Sequence, residues 1–290
     1  MAAATPPSTA TAVREARWPY LVGYLAAVVV AEICIAVPGP PTGAGRPLQP
    51  IGLGLHILLV SSLMFLSVHL GPRDPTLASL LVAATLASLL RVFSLAVPRF
   101  PFFADPAVNP TNTLPWLGLV SVPMLLSVVA VAYVQRLRPR DLGLFFHRYR
   151  EVAVQVGIAM TGIPLGLVEF AILRPKAWIA ALVLGSFVAG TAVIVVATGL
   201  SEELIFRGIL LKRAVEGLGR RSGLLYVTAI FTSLHIYFLN PSDLVFVFAV
   251  GLFYGIAVLR TKNLWGVILS HSLANVFLYL VAPFWWPPLA

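Results

Sequence analysis

The chain has 290 residues, of which 59% are hydrophobic and only 11% charged, and its mean hydropathy is +0.93. An ordinary soluble domain carries about 25% charged residues, so that class is excluded. A net charge of +9 would suit a nucleic-acid binder, but the basic residues fall between hydrophobic runs, as topology signals do, and no nucleic-acid partner is expected.

Repeated apolar runs of about 18–22 residues predict an all-α, polytopic transmembrane helical bundle with about 8–9 membrane-spanning helices. The single cysteine, Cys34, excludes an intrachain disulfide and a cysteine-based zinc cluster. Residues 1–18, rich in Ala, Thr and Pro, read as a disordered cytoplasmic tail. The run 19–37 exceeds a signal-peptide core and is taken as an uncleaved first span, with Glu32 as a paired structural acid. A Pro/Gly-rich loop follows at 38–50.

The second span is 51–70, where His56 reads as a hydrogen-bonded packing residue, followed by a short turn at 71–74. The third, 77–97, carries Arg91 near its far end, where a long side chain can snorkel. A polar loop to Thr113 leads to the fourth span, 114–134, and then to the strongly basic connection 135–150. The fifth span is 152–173, with Glu169 near its outer end. The remaining spans are 178–215, 223–239, 244–259 and 264–281, and Pro283-Phe-Trp-Trp-Pro-Pro reads as an interfacial anchor. The chain thus divides into N-terminal transmembrane helices, 19–173, and a catalytic transmembrane core, 178–282.

An amino terminus placed inside puts most Lys and Arg on the inner side and leaves Arg46, Arg99, Arg174 and Lys176 outside. This bias supports a multi-pass plasma-membrane protein with a cytoplasmic N-terminus. Abundant Ala, with Arg far exceeding Lys, hints at a bacterial source.

The charged residues within the spans are the functional candidates. Glu202-Glu-Leu-Ile-Phe-Arg207 sits in an apolar run, where a charge at the bilayer centre costs roughly 2.5–3.5 kcal/mol. Glu203 and Arg207 are four apart with the acid first, the better order for a structural pair. On helical geometry Glu202 points about 140° away from Arg207 and is free for chemistry. A solvated helix end is the alternative, but two further spans also present polar groups: Phe231-Thr-Ser-Leu-His235 and His271-Ser-Leu-Ala-Asn275.

Amide hydrolysis needs an activated water, a donor for the oxyanion and a proton for the leaving amine. Glu202, helped by His235, is the candidate for activating water. His271 and Asn275 are the candidates for stabilising the oxyanion. Glu202, His235 and His271 would also make a catalytic zinc set with water in the open position. Asn275 is an unusual zinc ligand, and no His-Glu-x-x-His motif occurs. Zinc and no cofactor at all therefore both stay open.

These motifs, in this order over about residues 180–278, resemble the CAAX protease and bacteriocin-processing (CPBP) family of intramembrane proteases. That family takes in the type II CAAX prenyl endopeptidases and the bacterial Abi proteins. The resemblance implies an endopeptidase acting on a membrane-associated or lipidated protein or peptide, with membrane lipid as its surroundings. It gives the catalytic parts to Glu202, His235, His271 and Asn275, and leaves Glu203, Arg207 and Phe231 as structural support. The family is described both as metalloproteases and as glutamate-dependent proteases.

Two rivals are weighed. A proton-coupled transporter would use Glu202, Glu32, Glu169 and the histidines as a relay, but would want an inverted repeat, and no second charged cluster is present. A non-proteolytic scaffold or regulator would want a lost catalytic residue, and none is lost. Two expectations concern depth. With every span centred, Glu202 lies inside the midplane and His235 outside it, about 10 Å apart at ~1.5 Å per residue, a gap that tilt or a shift of the sixth helix must close. The inner position of Glu202 suggests that substrate arrives from the cytoplasmic side or from the bilayer.

Overall fold

An apolar run in a bilayer can satisfy its backbone only by closing it into a helix, and helices are what form. The computed structural model describes residues 9–39, 46–96, 110–146 and 149–286; among them all regular structure is helical. The helices are α1 (Thr9–Ala36), α2 (Gln49–Leu70), α3 (Pro75–Ala96), α4 (Thr113–Val134) and α5 (Tyr149–Leu173, broken at Thr161). They continue as α6 (Leu184–Leu218), α7 (Arg220–Ser233), α8 (Pro241–Thr261) and α9 (Trp265–Trp285).

Eight of these, all but α7, are long and apolar enough to cross a membrane, α1 over Arg14–Ala36. The 14 residues of α7 reach only about 21 Å at ~1.5 Å per residue. The seventh span expected over 223–239 is thus shorter and earlier. The chain leaves helix after Ser233, makes a single 3-10 turn at Ile236–Phe238, and reverses through Leu239 at φ 51°.

The sixth helix also differs from expectation. It begins at Leu184 rather than 178, because Arg174 caps α5 in a left-handed conformation (φ 47°) and Trp178 is held elsewhere. The Trp178 ring stacks on Tyr279 with centroids 3.6 Å apart, and the backbone N–H of Trp178 donates to the Tyr279 carbonyl at 3.1 Å. At the amino end, α1 starts at Thr9, inside the segment expected to be a tail. Residues 1–8, 40–45, 97–109 and 287–290, which hold parts of the expected tail, loops and anchor, lie outside the described residues. Phe284, Trp285 and Trp286 are exposed, as an interfacial anchor would be.

Hydrogen bonds gather the basic connections at one end of the bundle. Arg17 on α1 donates to both carboxylate oxygens of Asp74, between α2 and α3, and to the carbonyl of Gly217 near the end of α6. Arg213 of α6 donates to Gln135 at the end of α4. The Leu264 N–H, between α8 and α9, donates to Gly143 in the connection before α5. Arg73, Arg136, Arg138, Arg140, Arg220, Arg221, Arg260 and Lys262 belong to these same connections and helix ends. Arg46, Arg174 and Lys176 lie in connections at the other end.

Small residues let α9 press between α5 and α6. Gly162 and Gly166 of α5 face the backbone of Ser270 and Ala274, and Gly199 of α6 faces Ser272. A β-carbon at any of the three would collide with those atoms, the close approach that membrane helices achieve with glycine. Large apolar side chains such as Phe65 and Val68 point outward from the bundle, where lipid would meet them.

Candidate active site

The central helix is irregular where the charges fall. Wide π turns over Val195–Leu200 and Leu204–Leu210 flank the short α-helical piece Ser201–Glu203. Such turns are rare and concentrate at functional sites. Glu202 lies at the middle of α6, since that helix runs Leu184–Leu218. The late start of α6 removes the inward offset expected for Glu202 from centred spans. Glu202 and His235 line the same cavity, of about 850 Å³, together with His271 and Asn275.

Three of these side chains, those of His235, His271 and Asn275, have a support behind them. The Nδ1 of His235 lies 3.1 Å from the carbonyl of Phe231. A carbonyl can only accept, so Nδ1 carries a proton, and in the neutral imidazole Nε2 then keeps its lone pair. The Nδ1 of His271 lies 2.8 Å from Oε1 of Glu203, and Arg207 Nη1 donates to the same oxygen at 2.8 Å. Glu203 is fully buried. The expected Glu203–Arg207 pair is present, but Glu203 also holds His271, a contact the sequence reading did not include.

Asn275 donates from Nδ2 to Thr198 Oγ1 at 3.0 Å, and the Thr198 hydroxyl in turn donates to the Ile194 carbonyl. Thr198 was missed, although it lies four residues before Glu202 within the same apolar run, which is the signal that could have found it. Phe231 also lines the cavity. Its ring lies 4.3 Å from the Arg207 guanidinium carbon and 5.0 Å from the His235 ring. Tyr254 of α8 shares a hydrogen bond with Ser270 at 2.9 Å, and its ring packs beside that of His271.

The N-terminal helices reach the site too. Arg91 does not snorkel. It donates from Nε and Nη2 to the two carboxylate oxygens of Glu32, and from Nη2 to the carbonyl of Leu234. His56 lies 3.2 Å from Glu32, and both are fully buried, so the expected structural parts of Glu32 and His56 hold. Arg91 and Glu169 also line the cavity.

The zinc set does not fit as the sequence suggested. Among the described residues no three His, Cys, Asp or Glu side chains are grouped so that they could hold one metal ion. Glu202, His235 and His271 share a cavity without forming a ligand cluster.

Residues 184–277 match the family model described as type II CAAX prenyl endopeptidase Rce1-like. The match runs from the start of α6 into α9 and contains every residue of the three motifs. That segment, about a third of the chain, is therefore similar to type II CAAX prenyl endopeptidases. No curated protein and no solved structure matches the chain.

Proposed function

We propose that this protein is an intramembrane endopeptidase that hydrolyses a peptide bond of a membrane-associated or lipidated protein. The observation that carries the reading is the convergence of Glu202, His235, His271 and Asn275 on one cavity, with Glu203 and Thr198 fixing the last two from behind. In this reading Glu202 takes a proton from water while the neutral Nε2 of His235 accepts the water's other hydrogen. The water oxygen bonds to the amide carbon, and charge develops on the carbonyl oxygen. Asn275 offers its second Nδ2 hydrogen to that oxygen. His271, with Nδ1–H given to the carboxylate that Glu203 shares with Arg207, offers Nε2–H as an imidazolium.

Glu202 then returns its proton to the amide nitrogen, the C–N bond breaks, and a carboxylic acid and an amine leave, the acid then passing its proton to the amine. No step passes through a metal, because the candidate ligands are not grouped to hold one. We place the protein in a bacterial plasma membrane with its basic end in the cytoplasm.

The test is cleavage of a quenched fluorescent peptide library by the full chain in lipid nanodiscs. Appearance of new peptide termini is expected. A transporter or scaffold on the same bundle would generate none.

A further inference from the structure

The cavity belongs to one half of the bundle. Its wall reaches Gln49, Thr113, Pro175, Trp178 and Asn240. These lie at the start of α2, the start of α4, the end of α5, the approach to α6 and the start of α8. Each of those positions is at the opposite end from the Arg17–Asp74–Gly217 and Gly143–Leu264 hydrogen bonds that tie the basic connections together. Toward the basic end the cavity wall goes no further than Phe206, Tyr254 and His271, near the middles of α6, α8 and α9. Arg207, one turn beyond Glu203, lines a second pocket at that end with Arg140, Lys212 and Lys262.

Charge bias assigns the basic end to the cytoplasm. We infer that substrate enters this site from the extracytoplasmic half of the membrane, not from the cytoplasm. The preferred substrate is a peptide segment whose scissile bond reaches Glu202, at the middle of α6, from the outer side of the membrane. The cavity wall presents Trp116, Phe206, Phe231, Tyr254 and Tyr279, so apolar or aromatic residues flank that bond. This side of entry differs from the sequence-based expectation of access from the cytoplasmic side or from the bilayer. The inference rests on the protease reading for its substrate class, but on geometry and charge alone for its direction.

Thiol labelling separates the two. In a Cys34→Ala background, Leu165→Cys places a thiol on the cavity wall and Arg138→Cys places one at the basic end. A membrane-impermeant methanethiosulfonate is applied to right-side-out and to inside-out vesicles. The expected result is reaction of Leu165→Cys in right-side-out vesicles and of Arg138→Cys in inside-out vesicles. Reaction of both from the same side, or of Leu165→Cys from neither side, overturns the inference. Labelling needs no cleavage, so a failure of the protease reading would show separately, as no hydrolysis of peptides offered on either face.

Discussion

The guanidinium of Arg91 and the backbone carbonyl of Leu234 meet at 2.5 Å across 143 residues of sequence. Leu234 precedes His235, so this bond fixes the turn that ends α7 and presents the imidazole to the cavity. The same guanidinium grips both oxygens of Glu32. The first three helices therefore position a residue of the site, although none carries a recognisable motif.

Arg91→Lys keeps the charge opposite Glu32 but cannot span two carboxylate oxygens and a carbonyl. The expected outcome is a kcat lower by about 10- to 100-fold, the scale of a small misplacement at a reacting centre, with KM little changed. Steady-state kinetics on a cleaved peptide checks this. Unchanged kcat would limit Arg91 to packing.

Glu203 accepts from both Arg207 and His271 in a fully buried setting. Glu203→Gln leaves the Arg207 charge without its partner, and breaking a buried pair in this way costs about 3–5 kcal/mol. Unfolding in mixed detergent micelles should show a loss of that order, together with loss of cleavage.

Thr198→Val keeps the shape of the side chain and removes the acceptor that holds Asn275. A lost hydrogen bond of about 1–1.5 kcal/mol corresponds to roughly a tenfold fall in kcat. Thr198→Ser should stay near wild type, since its hydroxyl can accept in the same place. Equal loss in both variants would point to packing instead.

Asp74 supplies a pH dependence away from the site. Burial alone would raise its carboxyl, but the Arg17 guanidinium and the Leu77 N–H hold it below the ordinary value of 3.8. A depressed carboxyl contributes stability that is complete above the unfolded pKa and is lost as pH falls through the folded one. The gap in melting temperature between wild type and Asp74→Asn should therefore be full at pH 7 and shrink below about pH 4. Thermal melts in detergent between pH 7 and pH 3 measure it. A gap that widened on acidification would contradict the pairing with Arg17.

The site was largely legible in the sequence because its residues repeat at helical spacing within apolar runs: Glu203 with Arg207, Phe231 with His235, His271 with Asn275. Local periodicity carries that information. It carries none about Arg91 and Leu234, or Glu203 and His271, whose contacts depend on how separate helices pack. The ends of α6 and α7 were misplaced for a related reason. Hydropathy runs through Trp178 to Val183 and through Leu234 to Leu239 without a break, while the Trp178–Tyr279 stack and the reversal at Leu239 are tertiary. The gathering of basic residues at one end was legible because charge excess needs no knowledge of packing, whereas depth along one helix does not say which way a cavity opens.

The central claim is that Glu202 activates the water. Its direct test is the cleavage rate of Glu202→Gln beside wild type in the same nanodiscs, with thermal melts to show both folded. A fall of about 10²–10⁴-fold, the usual range for a positioned acid–base group, with an unchanged melting temperature, is the predicted result. Full activity in a folded Glu202→Gln protein would contradict it.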